Sequence, residues 1–284
     1  SGAHQHLHSF PTRRSSDLNQ QIRNVNASAI QLANIVFASG GIKTLGDGGD
    51  IVTITKSLVI NPGVTVNRTN SITFSGDTWT NTNGTFNHTG GTITFTSNSP
   101  QTINPGTNND FNLVTFDGTG IKTITSKGID INNILTINAG STLNMGALSH
   151  TIQSNVVNNG TWIADNSNLT FDGGNQSIAG FTALDVVCSG TGTKTMNGIW
   201  SVDDLTIETG VTLDANNTSN YTLNLTGHWN NSGTFNSRLG LVNFNGTQDS
   251  LSVMNNVSNF YDVEFNPSVE CNYYLNSQIG RAHV

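Results

Sequence analysis

The chain has 284 residues, 10% of them charged, and a formal net charge of −7; this is enough length to bury one large core or two small ones. Asn (41) and Thr (38) far exceed ordinary usage, with 30 Gly and only 5 Pro, a balance that excludes a helix-rich enzyme and favours strands, turns and corners. Clustered Lys and Arg are absent, which excludes nucleic acid as a partner, and no apolar run reaches the roughly eighteen residues of a membrane span.

In chain order the first segment, 1–18, does not read as part of a domain. His8 to Leu18 spells His-Ser-Phe-Pro-Thr-Arg-Arg-Ser-Ser-Asp-Leu, which resembles an in-frame translation of a common sequencing adaptor, and Ile279 to Val284 resembles the start of the adaptor from the opposite side of an insert. Segments 1–18 and 279–284 are expected to be non-native, leaving 19–278 as one repeat domain cut from a longer protein. Without Arg13, Arg14, Asp17 and Arg281 the formal charge becomes −9. His4, His6 and His8, whose alternate spacing suggests a metal tract, fall away with the first segment.

From residue 19 onward the pattern is that of strands, apart from a weak helical stretch at Ala27 to Ala33. Apolar triplets recur at Leu58–Ile60, Ile72–Phe74, Ile93–Phe95 and Leu113–Phe116, and again at Leu205–Ile207, Leu223–Leu225, Leu241–Phe244 and Val263–Phe265. Each alternates apolar and polar residues, the period of a strand with one buried face. A longer period overlies them. Asn83-Gly84-Thr85-Phe86, Asn159-Gly160-Thr161-Trp162 and Ser232-Gly233-Thr234-Phe235 place their glycines 76 and 73 residues apart, and a Phe stands eleven residues beyond each, at Phe95, Phe171 and Phe244. Gln101, Gln176 and Gln248 follow, then Gly-x-Lys-Thr at Gly41, Gly120 and Gly192, and a closing phrase at Leu58 to Val66, Leu135 to Leu143 and Leu205 to Leu213.

About four steps of 18–22 residues fit one unit of ~73 residues, with Asn and Gly at the corners. This predicts an all-β chain, a right-handed parallel β-helix whose coils bury their inward side chains only against neighbours, with Asn and Thr stacking into hydrogen-bonded ladders. Asn-Gly between alternating residues is also a hairpin signal, so antiparallel β-sandwich repeats are the alternative.

Candidate chemistry is sparse. Lys43, Lys122 and Lys194 occupy equivalent places, and four coils per unit would align them along one face. There they read as solvated residues that discourage edge pairing, with contact to acidic glycans as the second reading. Trp79 and Trp229 read as core, or as sugar-stacking platforms if exposed; Trp162 replaces Phe86 and reads as core. His88, His150 and His228 have no nucleophile or ligand spacing around them and read as surface residues. Asp47-Gly48-Gly49-Asp50 suggests one calcium-binding turn but reads as a tight loop. Asp203-Asp204 suggests half a carboxylate catalyst, yet strand neighbours point to opposite faces, so a solvated edge is expected. Cys188 stands where other copies carry Phe37 and Phe116, so it and Cys271 are expected to be free and buried. Sequons such as Asn67, Asn224 and Asn256 are a by-product of the composition.

The succession Gly-x-Trp-x-Asn-x-Gly-Thr-Phe, Gly-x-Leu/Ile-Thr-Phe, Gln-Thr-Ile and Gly-x-Lys-Thr, clearest in Gly76 to Phe95 and Gly227 to Phe244, resembles the long repeat regions of adhesin-like, secreted and cell-surface proteins of Gram-negative bacteria, often exported by type IX secretion. The resemblance covers 19–278 and implies an extracellular, non-catalytic structural or adhesive module without cofactors or metal. Its partners would be extracellular glycans or other surface molecules, and exposed coil ends would favour self-association. A carbohydrate-binding module is the alternative; a β-helical polysaccharide lyase or hydrolase is a third reading, disfavoured because its basic residues are few and scattered.

Overall fold

The computed structural model describes residues 20–22, 29–46, 49–248, 250–256 and 258–276; the two adaptor-like segments lie outside them. The fold is an all-β solenoid of about twelve turns, in which every paired strand is parallel to its partner. The antiparallel alternative is therefore corrected: Asn83-Gly84 and Asn159-Gly160 make corners between faces and not hairpins. Of the stretch expected as a weak helix, Ala27 and Ser28 lie outside the described residues and 29–33 belong to strand Ala29–Phe37, eight of whose residues pair with Ile51–Ile60. Pairing to the next turn overrides local helix spacing there.

Each turn carries three strand segments, so the rod has three faces. The first face stacks Gly41–Leu45, Val64–Arg68 and Thr85–His88, and continues through Ser149–Ile152, Asn168–Phe171 and residues 186–188. The second stacks Ile72–Phe74, Thr92–Phe95, Leu113–Phe116, Leu135–Ile137 and Val156–Asn158. The third stacks Thr78–Asn81, Gln101–Asn104, Ile121–Ile124, Thr142–Asn144 and Thr161–Ile163. Within each segment alternate residues are buried, as in the inward Phe74, Phe95 and Phe116. Outward polar residues meet between turns; Asn87 donates to Asn67 at 2.9 Å and Asn243 to Asn224 at 3.2 Å, the ladders expected from the composition. Register partners lie from 17 residues apart (Leu169 and Val186) to 24 (Trp79 and Ile103), a slightly wider range than the expected step, because corners vary in length while strands do not.

The sequence unit and the turn are incommensurate. Gly84 precedes Thr85–His88 on the first face, Gly160 precedes Thr161–Ile163 on the third, and Gly233 precedes Thr234–Asn236 on the second. Eleven strand segments separate successive anchors, so a unit spans three turns and two-thirds, not four. Each unit thus begins one face away from its predecessor.

Local surroundings nevertheless repeat. The corner Asn61-Pro62-Gly63-Val64 closes with Val64 N–H donating to Asn61 O, and the same bond closes Asn138 to Ser141 and Glu208 to Val211. Its third residue is Gly63, Gly140 or Gly210, with φ of 75°, 82° and 83°, the left-handed position that glycine fills without penalty. One turn later Gly84 packs on Ile60 and the carbonyls of Asn61 and Val64; Gly160 does so on Ile137, Asn138 and Ser141, and Gly233 on Ile207, Glu208 and Val211. An added Cβ would stand 2.4–3.0 Å from these atoms. Alanine at Gly84, Gly160 or Gly233 is therefore expected to cost about 1–3 kcal/mol each, and the three losses should be alike by chemical denaturation. A loss at only one of them would contradict the shared surroundings.

Candidate functional site

The repeated polar residues are used to close the rod. Gln101 is buried and its Nε2 donates to Phe74 O and Gly76 O at 3.2 and 2.6 Å; Gln176 does the same to Ile152 O and Ser154 O at 3.0 and 2.7 Å. Gln248 departs from this pattern and is exposed. The lysines are the clearest correction. Lys43, Lys122 and Lys194 are 2%, 0% and 0% exposed, and they lie on the first, third and second faces rather than along one. Lys122 Nζ donates to the carbonyls of Ser97, Gly118 and Gly120 at 3.0, 2.8 and 2.8 Å, and Lys194 Nζ to those of Gly173, Gly174 and Thr191 at 2.5, 2.9 and 3.0 Å. Three donors meet three acceptors. Burial lowers the Lys122 ammonium to about 8 and moves Lys194 in the same direction. Neither presents a charge to a glycan.

Trp79 and Trp229 are 0% and 1% exposed, so neither is a stacking platform. Trp79 lies among Phe74, Phe86, Phe95 and Phe111 with ring centroids 5.0–5.9 Å away. Trp162 is likewise core, packed on Phe181 at 5.2 Å. Cys188 is buried between the register partners Phe171 and Ile207, and burial pushes its thiol up to about 12. Cys271 is half-buried rather than buried, because its segment lies on the last described turn.

The histidines are also corrected. His88 and His150 are each 1% exposed and His228 is half-buried. In all three Nδ1 accepts a main-chain N–H from elsewhere on the rod: Asn112 (3.4 Å), Ile129 (3.1 Å) and Ser252 (3.0 Å). Burial lowers His88 and His150 to about 4. The unfolded chain, at about 6.5, binds these protons first, so stability falls as pH drops from 6.5 toward 4. The urea midpoint is expected to fall between pH 7 and pH 5, and the slope to flatten in His88→Asn/His150→Asn; an unchanged slope in the variant would refute the assignment.

Asp47 and Gly48 of the calcium-like turn lie outside the described residues; Asp50 is buried and its carbonyl accepts Arg68 Nη2 at 2.6 Å. Among the described residues no group of three or more His, Cys, Asp and Glu is placed to hold a metal ion.

Asp203 and Asp204 do not diverge as strand neighbours should. They form a two-residue corner within strand Gly192–Ile207, and the Oδ1 atoms of both stand within 2.7 Å of where a Cβ on Gly227 would lie. Asp203 accepts Thr226 Oγ1 at 2.8 Å and Asp204 the His228 N–H at 2.6 Å. Asp185, in register with Asp204 one turn earlier, has its carboxyl raised by burial and by the charges of Asp204 and Asp203.

This corner borders an open groove of about 590 Å³. The groove arises from corner length. Corners 184–185 and 203–204 take two residues, whereas 165–167 and 226–228 take three. Two short corners between longer ones leave a saddle. It lies between an outward row on the third face, Thr182, Ser201 and Asn224, in register on successive turns, and a corner row that includes Asp165, Asp203 and Asn245. The lining holds no Lys, Arg or His. Apart from Asn224 and Gln248, none of the lining residues belongs to a repeated phrase, and nothing in the pattern of the units marks the saddle itself.

No protein-family model matches the chain. Nor does any curated protein or solved structure.

Proposed function

We propose that the chain is a non-catalytic structural or adhesive module of an extracellular bacterial surface protein. The observation that carries the reading is the use made of the repeated polar residues. Gln101, Gln176, Lys122 and Lys194 each bind main-chain carbonyls of the preceding turn, so the repeat builds a rod and leaves presentation to variable corners and outward rows. Surface display suits such a rod, since each added unit lengthens it without a new core. The enzyme reading is tested by assaying turnover of acidic polysaccharides with and without a chelator: no turnover is expected, and chelator-sensitive cleavage would defeat the proposal. Retention of chain-coated beads on glycan-bearing surfaces then separates adhesion from a purely structural role. A carbohydrate-binding role is the second reading and is favoured by the groove, not by Trp79, Trp229 or the lysines. Copies are also expected to associate end to end through unpaired strand edges; a monomer by light scattering at high concentration would contradict this.

A further inference from the structure

The groove differs from the rest of the rod in combining concavity, repetition at turn spacing and one sign of charge. Thr182, Ser201 and Asn224 present hydroxyl and amide groups one turn apart, or about 4.8 Å, and Asn224 Nδ2 already donates to Ser201 Oγ at 3.2 Å. Opposite them, Asp165 and Asp203 stand two turns apart, about 10 Å, with Leu184 at the corner between them. Asp165 is exposed, and Asp203 has a hydroxyl and no cation as its hydrogen-bond partner. Asp185 and Asp204 add negative charge behind the same corner. An acidic glycan would be repelled here; a chain that is hydroxyl-rich and positively charged would be complementary to both rows.

We infer that the groove binds a linear amino-sugar oligosaccharide lying along the rod axis, with ring hydroxyls on the Thr182–Ser201–Asn224 row and ammonium groups against Asp165 and Asp203. In a β-1,4-linked chain alternate rings are flipped, so amino groups return to one side every second ring, a length close to the two-turn separation of the carboxylates. The inference deepens the adhesive reading by naming a ligand class, and the chelator assay tests that reading independently.

Calorimetric titration of the full chain compares three probes: the β-1,4 hexamer of glucosamine, its fully N-acetylated counterpart, and spermine, which carries amines without ring hydroxyls. The glucosamine hexamer is expected to bind at least about tenfold tighter than either of the others. Asp165→Asn/Asp203→Asn should weaken it at least about tenfold, while Asp110→Asn/Asp117→Asn, away from the groove, should change it less than about twofold. Both groove positions carry solvent-accessible side chains, and the amide oxygen introduced by Asp203→Asn would still accept from Thr226, so the variants are expected to keep their circular dichroism. Absence of binding, equal binding of spermine or of the acetylated hexamer, or equal loss in the two double variants would each overturn the inference.

Discussion

Trp79→Ala is expected to cost about 3–5 kcal/mol. Trp79 fills the interior of its turn, and its four aromatic neighbours come from its own and adjacent turns. A solenoid turn is held only by the turns above and below, so the rings around the vacancy cannot collapse inward without breaking register. The loss should appear as early exchange of main-chain amides from about 72 to 116, with distant turns protected, because long arrays lose all-or-none behaviour. Trp79→Phe separates packing from hydrogen bonding. Trp79 Nε1 is buried without a partner, so phenylalanine removes an unsatisfied donor along with some area and should cost much less. Trp229 makes the contrasting case: its Nε1 donates to Asn255 Oδ1 at 3.2 Å, and Trp229→Phe should cost more than Trp79→Phe. Equal costs for the two Phe variants would show that the indole bond contributes nothing.

Lys194→Met is expected to be nearly as severe, about 2–4 kcal/mol. Two effects oppose each other. Methionine escapes the desolvation that lowers the lysine's proton affinity, but it leaves the carbonyls of Gly173, Gly174 and Thr191 without the ammonium they share. A fully buried acceptor left without a donor costs about 1–3 kcal/mol; these three are part-buried, so each loses less, and together they outweigh the gain. Arginine should not rescue the site, since a planar fork cannot address three carbonyls converging on one point. Lys122→Met should behave alike on another face of the rod. The measurement is the denaturation midpoint at pH 7, well below the ordinary lysine value, where the ammonium is charged in the unfolded chain; a Met variant as stable as the parent would contradict the assignment.

Much of the architecture was legible in the residues because strand alternation and corner glycines are local signals. The apolar triplets Leu58–Ile60, Ile72–Phe74 and Ile93–Phe95 and the Phe-to-Cys188 substitution place their apolar residues inward, as their spacing implied, and the glycines fall at corners. The faces were not legible. Assigning turns to a unit required knowing how many residues each corner holds, from one at Gly180 to eight at 215–222, and that number is set by packing between turns. The lysines show where a finer reading was available: in Ile121-Lys122-Thr123-Ile124 the lysine shares parity with buried Ile124, and Lys43 and Lys194 share it with buried Leu45 and Met196. Strand parity alone places all three inside. What parity cannot supply is the ring of carbonyls that makes burial tolerable, because it combines the lysine's own corner with residues of the previous turn. The groove was invisible for the same reason, being a property of neighbouring corner lengths and not of any motif.

Eleven and three share no common factor, and this arithmetic governs how a longer array would look from outside. Each unit advances about 18 Å along the axis at the strand spacing of a sheet while stepping round by a third of a circle. Equivalent patches therefore trace a spiral staircase, and a patch recurs on the same side only after three units, about 53 Å. Such a rod has no front or back: whichever way it rolls on a flat surface, one unit in three faces that surface. Weak contacts can then add along the length without any torsional penalty for alignment, whereas a four-turn unit would have gathered every equivalent patch into one stripe and left two sides bare.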